Sequence, residues 1–422
     1  MPEFVSWILI TLAVLALIGI IFEEVIHINK AQSVLFFGSI SWVILFAASI
    51  GTPEHHTIEE GLKENIGEIA ALWLFLTAAM TFVAYLNKKG LIESAIFKVL
   101  PQQISERKLM LLTGLFAFVF SSLADNITAT LVSVALILSL QLPAQKTLRF
   151  AAIAVFAVNS GGVAMITGDV TTLMIFLADK AEITSLLMLS LPAFCAVLVL
   201  IALLMLPMSG EVTVTKTSHD LQQVDIVVAG IFLLTIMTTI AFNVLFDIPP
   251  VLTFLTGLSI MFLVAKGMGE DTEDDPIMDY VRRIEFDTLM FFLGILMVVG
   301  ALKEIRALDS FVAVYEYLPA WQANYLMGLF SSIIDNVPLT AALLKSDVVM
   351  NPAEWLALTY AVGVGGSLLI IGSAAGIVAM SKIEALTFGT YLRFIIALLL
   401  AYTVGYALTM GLGTLIFVQS PA

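Results

Sequence analysis

Cysteine is all but absent from this chain. Cys195 stands alone among 422 residues, which excludes an intrachain disulfide and the clustered thiolates of a structural zinc site. It sits in an apolar stretch, where it reads as a lipid-facing or packed side chain. Charge is scarce too, at 12% of residues, where soluble domains carry about 25%. The net charge of −14 has the wrong sign for a nucleic-acid partner. Much of it falls in loops, including Glu270, Asp271, Glu273, Asp274 and Asp275. No GxxxxGK[ST] phosphate loop occurs, so ATP is not the expected energy source. The N-terminus has neither the basic region nor the cleavage site of a signal peptide, so residues 5–22 read as a retained span.

What is present is hydrocarbon: 60% of residues are hydrophobic and the mean hydropathy is +1.04. Apolar runs near the length of a membrane helix predict spans at about 5–22, 33–50, 67–86, 148–178, 184–206, 224–246, 250–266, 285–302, 353–380 and 389–418. Two further segments, about 109–140 and 321–345, are apolar at both ends and polar in the middle. The first is too long for one crossing and the second too short for two, so both are expected to be re-entrant hairpins.

Basic residues test that layout. With both termini outside, the inside loops collect Lys30, Lys88, Lys89, Lys98, Arg107, Lys108, Lys146, Arg149, Lys216, Lys266, Arg282, Arg283, Lys382 and Arg393. The outside keeps Lys63, Lys180, Lys303, Arg306 and Lys345, a clear positive-inside bias. The polar centres of the two hairpins match: Ser121-Ser122-Leu123-Ala124-Asp125-Asn126 against Ser331-Ser332-Ile333-Ile334-Asp335-Asn336. Each is followed by a glycine-rich break, Asn159 to Asp169 and Gly363 to Gly376. The expected fold is therefore an all-α polytopic membrane protein of two repeats, 5–206 and 224–418, joined by a cytoplasmic linker at 207–223. Each repeat holds five spans, one of them a broken helix (148–178 and 353–380), and one hairpin. Five is odd, so the second repeat is inverted relative to the first, an arrangement typical of secondary transporters.

A carboxylate in hydrocarbon costs at least about 2.5 kcal/mol on insertion scales. Asp125 and Asp335 could each cap the returning helix of a hairpin, but Ser or Asn would cap without a charge. The alternative is coordination of a hard cation by carboxylate, amide, hydroxyl and unwound carbonyl oxygens, with Asn126 and Asn336 beside them. Asp169, with Thr171 and Thr172, follows the first break, where Gly161, Gly162 and Gly168 let the helix unwind; the threonines could instead bond the preceding turn. The counterpart of Asp169 in the second half is neutral, Ser373. Asn159 is an amide ligand or a packing residue. Glu68, Glu285 and Asp287 begin spans, as structural or entry-path groups. His55 and His56 read as an outside loop with Glu54, Glu59 and Glu60, while Glu23, Glu24, His27 and Lys30 form a candidate inside pH sensor. An intramembrane aspartyl protease needs GxGD, but residues 166–169 read Ile-Thr-Gly-Asp. Oppositely opening hairpins favour alternating access over a channel.

At these residues the chain resembles the NhaD-type sodium/proton antiporters of the ion transporter superfamily. The likeness rests on SSLADNIT (121–128), NSGGVAMITGDVTT (159–172), EFDTLMFFLGILMVVGAL (285–302) and SSIIDNVPLT (331–340). It implies sodium or lithium export in exchange for protons across a bacterial inner membrane, with no cofactor and no enzymatic reaction. The fold it implies has a moving, elevator-like transport domain carrying the hairpins, a static scaffold and often a homodimer. The functional residues it implies are Asp125, Asn126, Asp169, Thr171, Thr172, Ser331, Asp335, Asn336 and Ser373, with sodium at Asp125, Asn126, Asp169 and Asp335. Asn159, Thr128, Glu68, Glu285 and Asp287 are secondary candidates. The mechanism expected is competition of sodium and protons for one set of carboxylates. An arsenite or antimonite efflux protein and a sodium-coupled carboxylate symporter are the alternatives.

Overall fold

A backbone crossing lipid must satisfy its own polar groups, and helices do so within one segment. The computed structural model describes residues 3–21, 28–92, 94, 98, 101–213, 221–268 and 278–417 and is mostly helical. The first half runs α1 (Glu3–Ile21), α2 (Lys30–Ser49), α3 (His55–Lys88), β1 (Gln103–Ser105), α4 (Glu106–Leu123), α5 (Asn126–Ser139), α6 (Ala144–Gly162), α7 (Val170–Leu177) and α8 (Ile183–Leu204). After β2 (Glu211–Thr213) come α9 (Gln223–Phe246), α10 (Pro250–Gly267), α11 (Asp279–Arg282), α12 (Phe286–Glu304), α13 (Asp309–Tyr317), α14 (Ala320–Ser331), α15 (Asn336–Lys345), α16 (Pro352–Gly365) and α17 (Ala374–Lys382). The chain closes with α18 (Phe388–Tyr391), a short 3-10 turn and α19 (Ile395–Phe417).

Eight helices among the described residues are long and apolar enough to cross a membrane: α1, α2, α3, α8, α9, α10, α12 and the Phe388–Ile416 stretch. This is a multi-pass membrane protein. The two other expected spans, 148–178 and 353–380, are each broken, into α6 and α7 and into α16 and α17. The segments expected at 109–140 and 321–345 are helix pairs, α4 with α5 and α14 with α15, interrupted at the polar phrase.

The chain has the expected all-α class of a polytopic membrane protein, and beside the helices β1 and β2 form a small two-stranded antiparallel ribbon with Ile104 opposite Val212. Strands of three residues are too short to leave a period in the sequence. The third span begins at His55 rather than 67 and runs for 34 residues, about 51 Å at 1.5 Å per residue. His55 and His56 therefore sit in the first turn of α3, not in a loop, and Glu68 lies inside the helix. Ion pairs one turn apart, Lys63 with Glu59 at 2.7 Å and His56 with Glu60 at 3.4 Å, line this polar extension. Glu23, Glu24 and His27, the acidic run at 270–275 and linker residues 214–220 lie outside the described residues. Cys195 is exposed on α8.

The helices pack in two groups. In one, α2 lies along α12 and α1, while α3 packs on α10 and α12, and α9 on α10. In the other, α4, α5 and α8 surround α6, α14 and α19 flank α16, and α15 packs on α7 and α16 while also meeting α12 of the first group. Trp355–Gly365 of α16 is buried throughout, as is Phe150–Gly162 of α6. A helix apolar on every side belongs at the centre of its bundle. Glycine permits the tightest crossings there. A Cβ on Gly161 would strike the Phe118 carbonyl of α4, and one on Gly365 the Gly328 carbonyl of α14.

Candidate functional site

Each interrupted helix restarts on a capping side chain. Asp125 caps α5 and accepts hydrogen bonds from the Thr128 amide at 2.9 Å and the Thr128 hydroxyl at 2.7 Å. Asp169 caps α7, accepting from the Thr171 amide at 2.9 Å. Asp335 caps α15, accepting from the Val337 amide at 3.2 Å. Ser373 caps α17, accepting from the Gly376 amide at 3.3 Å. Capping satisfies the first-turn amides that a broken helix leaves unpaired. Three of the four caps nevertheless bring a carboxylate where Ser373 shows that a hydroxyl suffices.

These four starts meet at one cavity of about 260 Å³. Its walls include Asp125, Asn126, Asp169, Asp335, Asn336 and Ser373, with Lys30 and Asp287 also reaching it. Helix N-termini and the C-termini just upstream of them carry opposite partial charges, which offset one another. The carboxylates and Lys30 therefore set the sign of the site.

Asp169 is the hub. Its Oδ2 accepts from Asn126 Nδ2 at 2.7 Å and from Asn336 Nδ2 at 3.2 Å. One oxygen thus ties together the asparagines of both repeated phrases. The amide oxygen of Asn126 accepts in turn from Ser121 Oγ at 2.7 Å. Asn159 donates to Ser373 Oγ at 3.1 Å, joining α6 to the restart of α17. Buried oxygens of Asn159 (Oδ1) and Thr171 (Oγ1) have no protein partner.

The remaining sequence candidates, apart from Asp287 at the rim, stand outside the cavity wall. Thr128 acts on it through Asp125. Thr172 donates to the Gly162 carbonyl at 3.2 Å, and Ser331 to the Val362 carbonyl at 2.6 Å. Glu285 occupies the N-cap position of α12 without a side-chain cap bond, its carboxylate accepting instead from Thr288 Oγ1 at 3.3 Å. Glu68 pairs with Lys345 at the end of α15, away from the cavity. Asp287 accepts from Asn29 Nδ2 at 3.1 Å and is exposed at the cavity rim.

Lys30 and Ser121 are cavity or support residues that the sequence reading did not assign to the site. Ser121 carried a signal, since it lies 210 residues before Ser331 and makes the matching contact, donating to the Val158 carbonyl at 2.7 Å. Lys30 carried none, because only the packing of α2 brings it to Asp335.

Comparison with known proteins adds independent findings. The family model described as citrate transporter matches residues 4–363. The Na(+)/H(+) antiporter NhaD of Vibrio cholerae serotype O1 is 31% identical over 92% of this chain and 88% of its own. The Na(+)/H(+) antiporter NhaD of Alkalimonas amylolytica is 29% identical over 98% of this chain and 92% of its own. Sodium/proton antiporter 1 of Arabidopsis thaliana is 30% identical over 94% of this chain and 71% of its own.

Proposed function

This chain belongs to the citrate transporter family, among its NhaD-type antiporters, and from that premise we propose that it exchanges cytoplasmic sodium or lithium for external protons. It is a secondary transporter rather than an enzyme. The observation that carries the reading is the meeting of Asp125, Asp169 and Asp335 in one cavity, each accepting from a helix amide, with Asn126 and Asn336 both donating to Asp169. Carboxylate and hydroxyl oxygens suit a hard cation, and the same carboxylates take up protons. A citrate-like substrate would instead meet four carboxylates, with Lys30 the one cation among the described residues of the cavity lining.

The exchange follows from competition. Sodium entering the cavity displaces a proton from Asp125 or Asp169, and on the far side protons displace sodium. The two halves act as inverted repeats, 5–206 and 224–418, with the hairpins re-entering from opposite faces. The matching contacts of Ser121 with Val158 and Ser331 with Val362 support this pairing, as do Gly161 with Phe118 and Gly365 with Gly328. In this reading α1–α3, α9, α10 and α12 are the scaffold, and the broken helices and hairpins are the mobile transport body. The cavity rim at Asn29, Lys30 and Asp287 lies on the side that the basic loops assign to the cytoplasm. For a bacterial cell we propose the inner membrane with the termini outside, and a homodimer as the resemblance to the NhaD-type antiporters implies.

Everted membrane vesicles from a host lacking sodium antiporters test the function. With an acid interior preformed, sodium and lithium should collapse the pH gradient, and Asp125→Asn should abolish the response. No response to either ion between pH 6 and 9 would contradict the proposal, and a response to arsenite or a tricarboxylate alone would replace it.

A further inference from the structure

Three aspartates share the cavity, but their partners differ. Asp125 and Asp169 are held by neutral donors, the backbone amides and hydroxyl of their own helices and the two asparagines. Asp335 accepts from the Val337 amide through Oδ1 and turns Oδ2 towards a full charge, Lys30 Nζ at 3.6 Å. The pair is largely dry, with side chains 21% exposed for Lys30 and 6% for Asp335. The ammonium also lies over the Phe291 ring, 4.8 Å from its centroid, which stabilises a cation at that spot. The start of α2 is held in place by Asn29, which caps Ala31 and donates to Asp287 on α12.

We propose that the Lys30 ammonium is a built-in counter-cation of the transport site, which sodium must displace from Asp335. This rests on the cation-exchange reading above and assigns the site a specificity-determining residue. With Asp125, Asp169, Asp335 and the rim carboxylate Asp287 ionised, the Lys30 ammonium brings the formal charge of the lining from −4 to −3, so removing Lys30 would leave the cavity more attractive to any cation. Lysine suits the task because its charge is compact and its stem flexible, so it can withdraw towards the rim. A separation of 3.6 Å is an ion pair without a short hydrogen bond, and it yields more readily than a bidentate arginine clamp would.

The pair also spans the two helix groups, since Lys30 begins α2 and Asp335 begins α15. Sodium at Asp335 would release that tie together with the ammonium. Binding of cargo and freedom of the mobile body are then the same event.

Calorimetric sodium titration of the purified full-length protein tests this at one alkaline pH. Lys30→Gln should tighten sodium binding by about fivefold, and Lys30→Arg should not. In the Asp335→Asn background the effect of Lys30→Gln should vanish. Lys30→Met, which keeps a stem over Phe291, serves if the glutamine variant fails to fold. Unchanged or weaker binding in a folded Lys30→Gln or Lys30→Met protein would overturn the inference while leaving the antiporter reading intact. So would tightening that persists undiminished with Asp335→Asn, which would make Lys30 a remote charge. A wild-type protein that binds no sodium would remove the antiporter reading itself and this inference with it.

Discussion

Asp169 stands where both asparagines converge, so each asparagine supports a proposed ligand as well as lining the cavity. Asn126→Ala and Asn336→Ala should each weaken sodium-dependent exchange by about 10- to 100-fold, the usual cost of losing a residue that orients a ligand. Asp125→Asn and Asp335→Asn should abolish it, and initial rates of gradient collapse in vesicles separate the two grades. Glu285 predicts a pH effect. Burial first, then the nearby charge of Asp125, pushes its carboxyl from 4.5 up to about 7, against a lowering contribution from Thr288. It lies just outside the α12 span. Below about pH 7 it is neutral and above it carries a charge that adds to the field at Asp125. Glu285→Gln should therefore reduce sodium affinity at pH 8 by about two- to threefold and leave it unchanged at pH 5.5, as titrations at both values would show. The folded state binds this proton more tightly than the unfolded chain. Its contribution to stability is complete below about 4.5 and lost as pH rises through about 7.

At the scale of elements, glycine sets how closely the helices cross. Gly161→Ala and Gly365→Ala place a methyl against backbone carbonyls of α4 and α14, with no flexible side chain to give way. Each should cost about 1–3 kcal/mol of stability by overpacking, read as lower melting temperatures in detergent. Away from the cavity, Glu68 of α3 pairs with Lys345 at the end of α15, and Glu64 with Lys303 at 3.5 Å. The first of these joins the two helix groups at the end that the basic residues assign to the outside. Glu68→Gln should loosen that end and shift the population away from the state seen here, raising the half-saturating internal sodium about two- to fivefold with little change in maximal rate. The breaks themselves were legible in sequence, because glycines at 161, 162 and 168 and at 363, 365, 366, 372 and 376 interrupt runs too long or too polar for one helix. The extension of α3 was not. Its histidines and glutamates read as a loop, yet pairs one turn apart support a helix beyond the apolar stretch.

For the whole molecule, the repeated hexapeptide pointed to Asp125, Asn126, Asp335 and Asn336 and the glycine-rich breaks to Asp169 and Ser373, residues that gather in the cavity although they lie up to 248 positions apart, Asp125 to Ser373. A duplicated polar phrase in hydrocarbon is a strong signal, because hydrocarbon penalises it twice. Lys30 was invisible to that logic. It read as an inside-loop cation in a candidate pH sensor, and only tertiary packing turns it towards Asp335, 305 residues away. The account therefore rests on one claim: sodium and protons contend for the same capping carboxylates. The direct measurement is proton release into a weakly buffered solution when sodium is added to the purified protein near pH 7.5. Sodium should release protons in a saturable manner, lithium should do the same, and Asp125→Asn or Asp169→Asn should diminish the release. Saturable sodium binding without proton release would contradict the account.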